Sequence, residues 1–212
     1  MSDYGRADFA AEDDVSRETL AAFDAWYALL SKWNRTINLV SPAAMSEFWE
    51  RHALDSWQVV RHMPEGAKSA IDLGSGAGFP GIALGMAMAD RGAGDVLLVE
   101  SAGKKANFLR TVVRALKLPV TVSSERAENL PAKPYDVVSA RAFAPLPRLL
   151  DYAEPFWGPK TVGIFLKGEG AGAEIEEARM RFAFDVQAHA SRTSGGGKVL
   201  VMTGLSRLET AA

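Results

Sequence analysis

The chain has no cysteine. Disulfides and thiolate metal sites are therefore excluded, and a reducing cytoplasm is the expected home. Histidine is nearly as scarce. His52, His62 and His189 stand far apart and form no metal-ligand spacing, so no zinc or iron site is expected. Long apolar runs are missing too. No stretch reaches the roughly 18 apolar residues that would span a bilayer, so no membrane partner is expected. The opening "MSDYGRADFAAEDDVSRE" is acidic and polar, with neither the basic n-region nor the apolar h-region of a signal peptide. There is no internal repeat and no low-complexity tract. Nor is there an excess of positive charge. The net charge of −2 argues against a protein that simply coats nucleic acid.

What is present is an ordinary globular composition. The 212 residues are 48% hydrophobic and 24% charged, enough for one domain with an appendage and a real core. The charge is unevenly spread. Residues 1–14 carry −4 and the whole chain −2, which leaves +2 for the rest. Basic residues gather at Lys104, Lys105, Arg110, Arg114 and Lys117. For the last three, a solvated helix face is the expected role. Lys104 and Lys105 fall nearer the glycine-rich turn described below.

Residues 1–15 read as a flexible acidic N-terminus. Ser16 is suited to cap a helix whose apolar positions Leu20, Phe23, Trp26, Tyr27, Leu30 and Trp33 share one face. "MSEFWERHALDSWQVVRHM" reads as a further helix that stops at Pro64, after a start at Ser41-Pro42. Residues 16–63 are thus expected to be a helical extension packed on a core domain, residues 64–212. Trp26, Trp33, Trp49 and Trp57 read as core residues before base-stacking platforms. Beyond Pro64 the chain alternates. Apolar strands such as "SAIDLG", "DVLLVES" and "TVGIFLKG" are separated by helical stretches such as "GIALGMAMAD" and "KKANFLRTVVRALKL". Seven strands are expected in a mainly parallel sheet, covered by helices on both faces. The last two, "FDVQAHASR" and "KVLVMTGL", have only "TSGGG" between them and read as an antiparallel hairpin at one edge.

The densest signal is "AIDLGSGAGFPGIALG", residues 70–85. It leaves a strand, passes through Gly74, Gly76, Gly78 and Phe79, and opens a helix. A bare turn needs only one glycine, so this loop is expected to bring backbone close to a ligand. In such sheets ligands bind outside the carboxyl ends of the strands. Glu100 ends the next strand and is suited to accept both hydroxyls of an adenosine-type ribose. Asp72 discriminates between ligands. A carboxylate beside the loop would repel a dinucleotide's pyrophosphate but suits the cationic sulfonium and amino groups of S-adenosylmethionine. Whether Asp72 touches the amino group, reaches it through water, or only braces the turn stays open at this level. Glu128 and Arg141 follow the third and fourth strands and join Asp72 and Glu100 on the same rim.

The narrower motifs are "NRTINLVS", "RHALDS", "DLGSGAGFPGI", "ESAGKKANFL", "RAENL", "SARAFAPL" and "FLKG". With them the chain resembles the ribosomal RNA small subunit methyltransferase G (GidB) family from about Ser16 to Leu205. The resemblance implies a Rossmann-like class I methyltransferase that uses S-adenosylmethionine. Its substrate would be N7 of guanine 527 in the 530 loop of 16S rRNA, in the small ribosomal subunit or an assembly intermediate, with the protein acting as a monomer. The implied cofactor contacts are Gly74, Phe79, Ala127, Glu128 and Arg141, which join Asp72, Gly76, Gly78 and Glu100 from the reading of the glycine turn and rim. Glu100 stands where many relatives use aspartate. Guanine N7 is an unprotonated acceptor, so in-line attack needs no general base. Catalysis would rest on positioning, with Arg141 and Lys167 as the expected positioning groups. Lys104, Lys105, Lys167, Arg192, Lys198, Arg51 and His52 are the candidate RNA contacts, and "SRTSGGGK" a candidate mobile lip. Three rivals are a methyltransferase for a small molecule, a non-catalytic binding module, and a dehydrogenase that Asp72 disfavours.

Overall fold

The computed structural model describes residues 4–193 and 195–209. Seven strands form one sheet in the order β3-β2-β1-β4-β5-β7-β6. They are β1 (Ser69–Leu73), β2 (Asp95–Val99), β3 (Val120–Ser123), β4 (Val137–Arg141), β5 (Val162–Lys167), β6 (Phe182–Ala190) and β7 (Lys198–Arg207). The first five run parallel. Their apolar runs are what a strand covered on both faces requires. In β1, Ala70 to Leu73 are wholly buried. The closing strands do form an antiparallel hairpin, but β7 is interior, paired to β5, and β6 is the edge.

The chain fills one side of β1 with β2 and β3, then returns to its other side with β4. That reversal is a topological switch point, where a crevice opens beyond the strand ends. Leu73 pairs with Ala140, so the turn after β1 and the last residue of β4 meet there, although far apart in sequence.

Ahead of the sheet lie α1 (Arg6–Ala10), α2 (Arg17–Asn34), α3 (Pro42–Ser46) and α4 (Asp55–Arg61). The Ser16 hydroxyl caps α2 by accepting the Thr19 N–H at 3.0 Å. Phe23, Trp26 and Leu30, spaced by three and four residues, are fully buried on one face of that helix. Trp57 is buried too. These side chains share a core cluster with Ile82 and Ala83 of α5 (Gly81–Asp90) and Phe108 of α6 (Gly103–Leu116). The other face of the sheet is covered by α7 (Leu146–Ala153) and α8 (Ala171–Arg179).

Two expectations for this region are corrected. Residues 4–15 are not a frayed tail. Phe9 is completely buried against Phe23, and the Glu12 carboxylate bridges Arg61 and Arg192. The stretch read as one long helix is also broken. Residues Trp49–Leu54 form a π-helical turn between α3 and α4.

Candidate functional site

The turn after β1 holds Gly74, Gly76 and Gly78 at φ of 67°, 57° and 104°, backbone that only glycine adopts freely. The Ser75 N–H donates to Val99 O and the Gly76 N–H to Glu100 Oε2, which ties the turn to the end of β2. Glu100 Oε1 accepts the Ala102 N–H at 2.8 Å. Each Glu100 oxygen keeps a further lone pair for a ligand.

Above this turn lies a cavity of about 420 Å³, within the range of sites for drug-sized molecules. Gly74, Gly76, Phe79, Glu100, Ala127, Glu128 and Arg141 all line it. A Cβ at Gly76 would meet nothing closer than Gly74 O at 3.9 Å, so that position faces open space. Leu39, Val40, Phe143 and Tyr152 add apolar and aromatic surface. A nucleoside's ribose and flat base find a carboxylate and apolar walls here. The pyrophosphate of a dinucleotide would meet Glu100, Glu125 and Glu128.

Two expected cavity residues lie elsewhere. Asp72 is fully buried beneath the turn. Its Oδ1 accepts the Ser139 hydroxyl at 2.8 Å, and its Oδ2 lies under Gly81, 2.7 Å from where a Cβ would stand. Burial pushes its pKa up to about 6. Of the roles open in the sequence, Asp72 fits the brace. Gly78 faces the core instead. A Cβ there would lie 2.6 Å from Ile82 and 3.1 Å from Trp26. Its freedom serves the close packing of α2 and α5.

A second cavity, also about 420 Å³, adjoins the first. Arg141 and Ala142 line both and form the partition between them. Ala142 holds φ at 50°, a left-handed conformation costly for a residue with a Cβ. Arg51, Lys167 and Lys198 join Arg141 in the second cavity, against the carboxylates of Asp55 and Glu174. The balance is cationic. Lys167 is mostly buried, with Nζ donating to Ala144 O at 2.8 Å and paired with Glu174 at 2.5 Å.

The remaining basic candidates separate. Lys105 lines the first cavity, not the second, and Lys104 points to solvent outside both. Arg192 is held by Glu12 and lines neither cavity. The lip itself is anchored, because Gln58 donates to the Ser191 hydroxyl and accepts the Arg192 N–H. Gly195 and Gly197 border the second cavity, while Ser194 lies outside the described residues.

Asp55, Glu174 and Phe143 were not singled out from the sequence. Asp55 and Phe143 carried usable signals, since Asp55 stands three residues after His52 within "RHALDS" and Phe143 two after Arg141 within "SARAFAPL". Burial raises its carboxyl pKa, against the pull of Arg141.

A family model described as "rRNA small subunit methyltransferase G" (GidB) matches residues 19–201. A protein of that name from Parvibaculum lavamentivorans is 45% identical over 199 residues, 93% of this chain and 88% of the relative. Its namesake from Hyphomonas neptunium is 44% identical, over 95% and 96% of the two chains. Among solved structures, a SAM-dependent methyltransferase from Aquifex aeolicus superposes with a TM-score of 0.59 at 17% identity, covering 82% of this chain and 98% of its own. TYW2 from M. jannaschii in complex with AdoMet superposes at 0.58 and 16%, covering 82% and 80%. These distant likenesses establish the Rossmann-like methyltransferase fold.

Proposed function

The chain belongs to the rRNA small subunit methyltransferase G (GidB) family, and from that premise we propose that it methylates N7 of guanine 527 in the 530 loop of 16S rRNA, using S-adenosylmethionine. One observation carries the reading. A cavity built on the glycine turn and Glu100 meets a cationic cavity across a single partition, Arg141 and Ala142. Two ligands, one in each cavity, would meet end to end at that wall.

The first cavity fits the cofactor. Gly76 leaves space where any side chain would intrude, and Glu100 keeps acceptor capacity towards it. S-adenosylmethionine supplies, when bound, an electrophilic methyl group on a sulfonium. Glu100 would hold the ribose hydroxyls, Phe79 and Phe143 would pack on the apolar parts, and Glu128 with Ala127 would border the base. In the second cavity Arg51, Lys198 and Arg141 would meet phosphates, and the basic balance would steer a polyanion. The guanine N7 lone pair is free, so no side chain has a proton to remove. The chain's work is orientation and exclusion of water. The purine gains positive charge as the new bond forms, and the carboxylate of Asp55 lies in the adjoining wall to offset it.

The test is transfer of a labelled methyl group from S-adenosylmethionine to small subunits that lack the N7 modification, followed by identification of the labelled nucleotide. Label on guanine N7 in the 530 loop supports the reading. No label on subunits or precursor particles, with cofactor binding intact, overturns it and favours a small-molecule acceptor.

A further inference from the structure

Arg141 ends β4 and its guanidinium is held by three acceptors from one short stretch of chain. Nη1 donates to Arg51 O at 2.7 Å and to Asp55 Oδ2 at 3.0 Å, and Nη2 meets His52 Nδ1 at 2.9 Å. The π-helical turn makes this convergence possible. The Asp55 N–H reaches Glu50 O and His52 O, and skips Arg51 O, the partner an α-helix would have used. The Arg51 carbonyl accepts the guanidinium instead.

His52 has the most restricted of the three contacts. A guanidinium only donates, so Nδ1 must accept and the ring proton sits on Nε2. Burial, then the charges of Arg141 and Arg51, push the imidazole pKa down to about 3. The ring therefore stays neutral and keeps its acceptor. It also stacks on Phe79, with centroids 4.2 Å apart and planes within 10°. The Arg141 guanidinium approaches the same Phe79 ring at 4.8 Å. Stacking and hydrogen bond together fix the angle at which Arg141 enters the partition.

We propose that His52 is a positioning residue, whose Nδ1 sets the Arg141 guanidinium at the junction of the two cavities for methyl transfer. This rests on the functional reading above. A histidine that only packs is replaceable by any flat ring. One that positions Arg141 needs an acceptor at the Nδ1 location.

The variants separate these roles. His52→Phe keeps the stacking and removes the acceptor, while His52→Asn offers Oδ1 near the place of Nδ1. Arg141→Ala and the His52→Phe/Arg141→Ala double variant complete a cycle. Turnover on small subunits, S-adenosylmethionine affinity and melting temperature are measured for each. His52→Phe should lose roughly 10–100-fold in kcat, the size of a lost hydrogen bond to a charged group. Its cofactor Kd should change by less than about threefold. His52→Asn should recover most of the loss. The double variant should be no slower than Arg141→Ala alone, because the two residues act as a unit. Equal activity of the Phe and Asn variants, or losses that multiply in the double variant, would overturn the proposal. Wild-type inactivity on every ribosomal substrate would instead overturn the functional reading. Imidazole ¹⁵N NMR tests the contact without turnover. Wild-type His52 should show the Nε2–H tautomer with a hydrogen-bonded Nδ1, and lose that signature in Arg141→Ala.

Discussion

The glycines of the turn are alike in sequence and differ in what they face, so they should fail in different ways. Gly76→Val places a side chain in the first cavity, where a Cβ meets no atom within 3.9 Å. Calorimetry should show S-adenosylmethionine binding abolished, with the melting temperature lowered only by the left-handed backbone, a cost of about 1–2 kcal/mol. Gly78→Ala drives a Cβ to 2.6 Å from Ile82. It should cost roughly 2 kcal/mol or more of stability, read by denaturant unfolding, before any effect on the cofactor. Asp72 gives a pH signature. Its carboxyl is raised to about 6 in the fold, against an ordinary value of 3.8. The folded state therefore binds the proton more tightly than the unfolded one. Its favourable contribution is complete below pH 3.8 and is lost as the pH rises through about 6. Asp72→Asn should remove that slope, so the melting-temperature difference between variant and wild type should move in the variant's favour from pH 4.5 to 7. A constant difference would mean that Asp72 titrates normally.

At the scale of elements, α2 supports the first cavity although none of its residues lines it. Trp26 lies 4.5 Å from the ring of Phe79, and Phe79 borders that cavity. Trp26→Ala should cost about 3–5 kcal/mol of stability through lost burial and the cavity left behind. It should also weaken cofactor binding, since Phe79 loses the surface it rests on. Normal cofactor affinity in the folded variant would separate α2 from the site. The sheet and α2 were legible in the sequence because each buries a regular pattern, apolar runs in β1 and β5 and a 3–4 spacing in α2. The π-helical turn was not, because one extra residue per turn leaves the apolar spacing of "FWERHALDSW" looking helical. The two roles of the glycine loop were hidden for a related reason. Spacing shows that Gly76 and Gly78 share a turn, but only the packing of Trp26 shows which way each faces. Asp72 stands next to the glycines in sequence, yet its burial beneath Gly81 depends on how α5 sits on the sheet.

Across the whole molecule, ends distant in sequence are joined through Glu12. Its carboxylate receives Arg61 at 2.7 Å and Arg192 at 2.5 Å, and links the acidic first segment to the lip of the second cavity. The sequence showed the acidic cluster but not its partners, which lie 49 and 180 residues away. That is why a paired segment looked frayed. Glu12→Gln should loosen the lip, with faster hydrogen exchange at the Arg192 amide and a melting temperature lower by a few degrees, as expected for about 1 kcal/mol. Unchanged exchange would show that Gln58 alone holds the lip. The place of β7 has a consequence in time. It is the last strand in chain order, yet it sits between β5 and β6. While the chain emerges during synthesis, the glycine turn, β2 and β4 can associate early, whereas β5 keeps a bare edge until residues 198–207 appear. Lys198, which begins β7, also completes the second cavity. The nascent protein is thus able to assemble the glycine-turn cavity before the cationic one. In the interval its open strand edge is exposed to other chains.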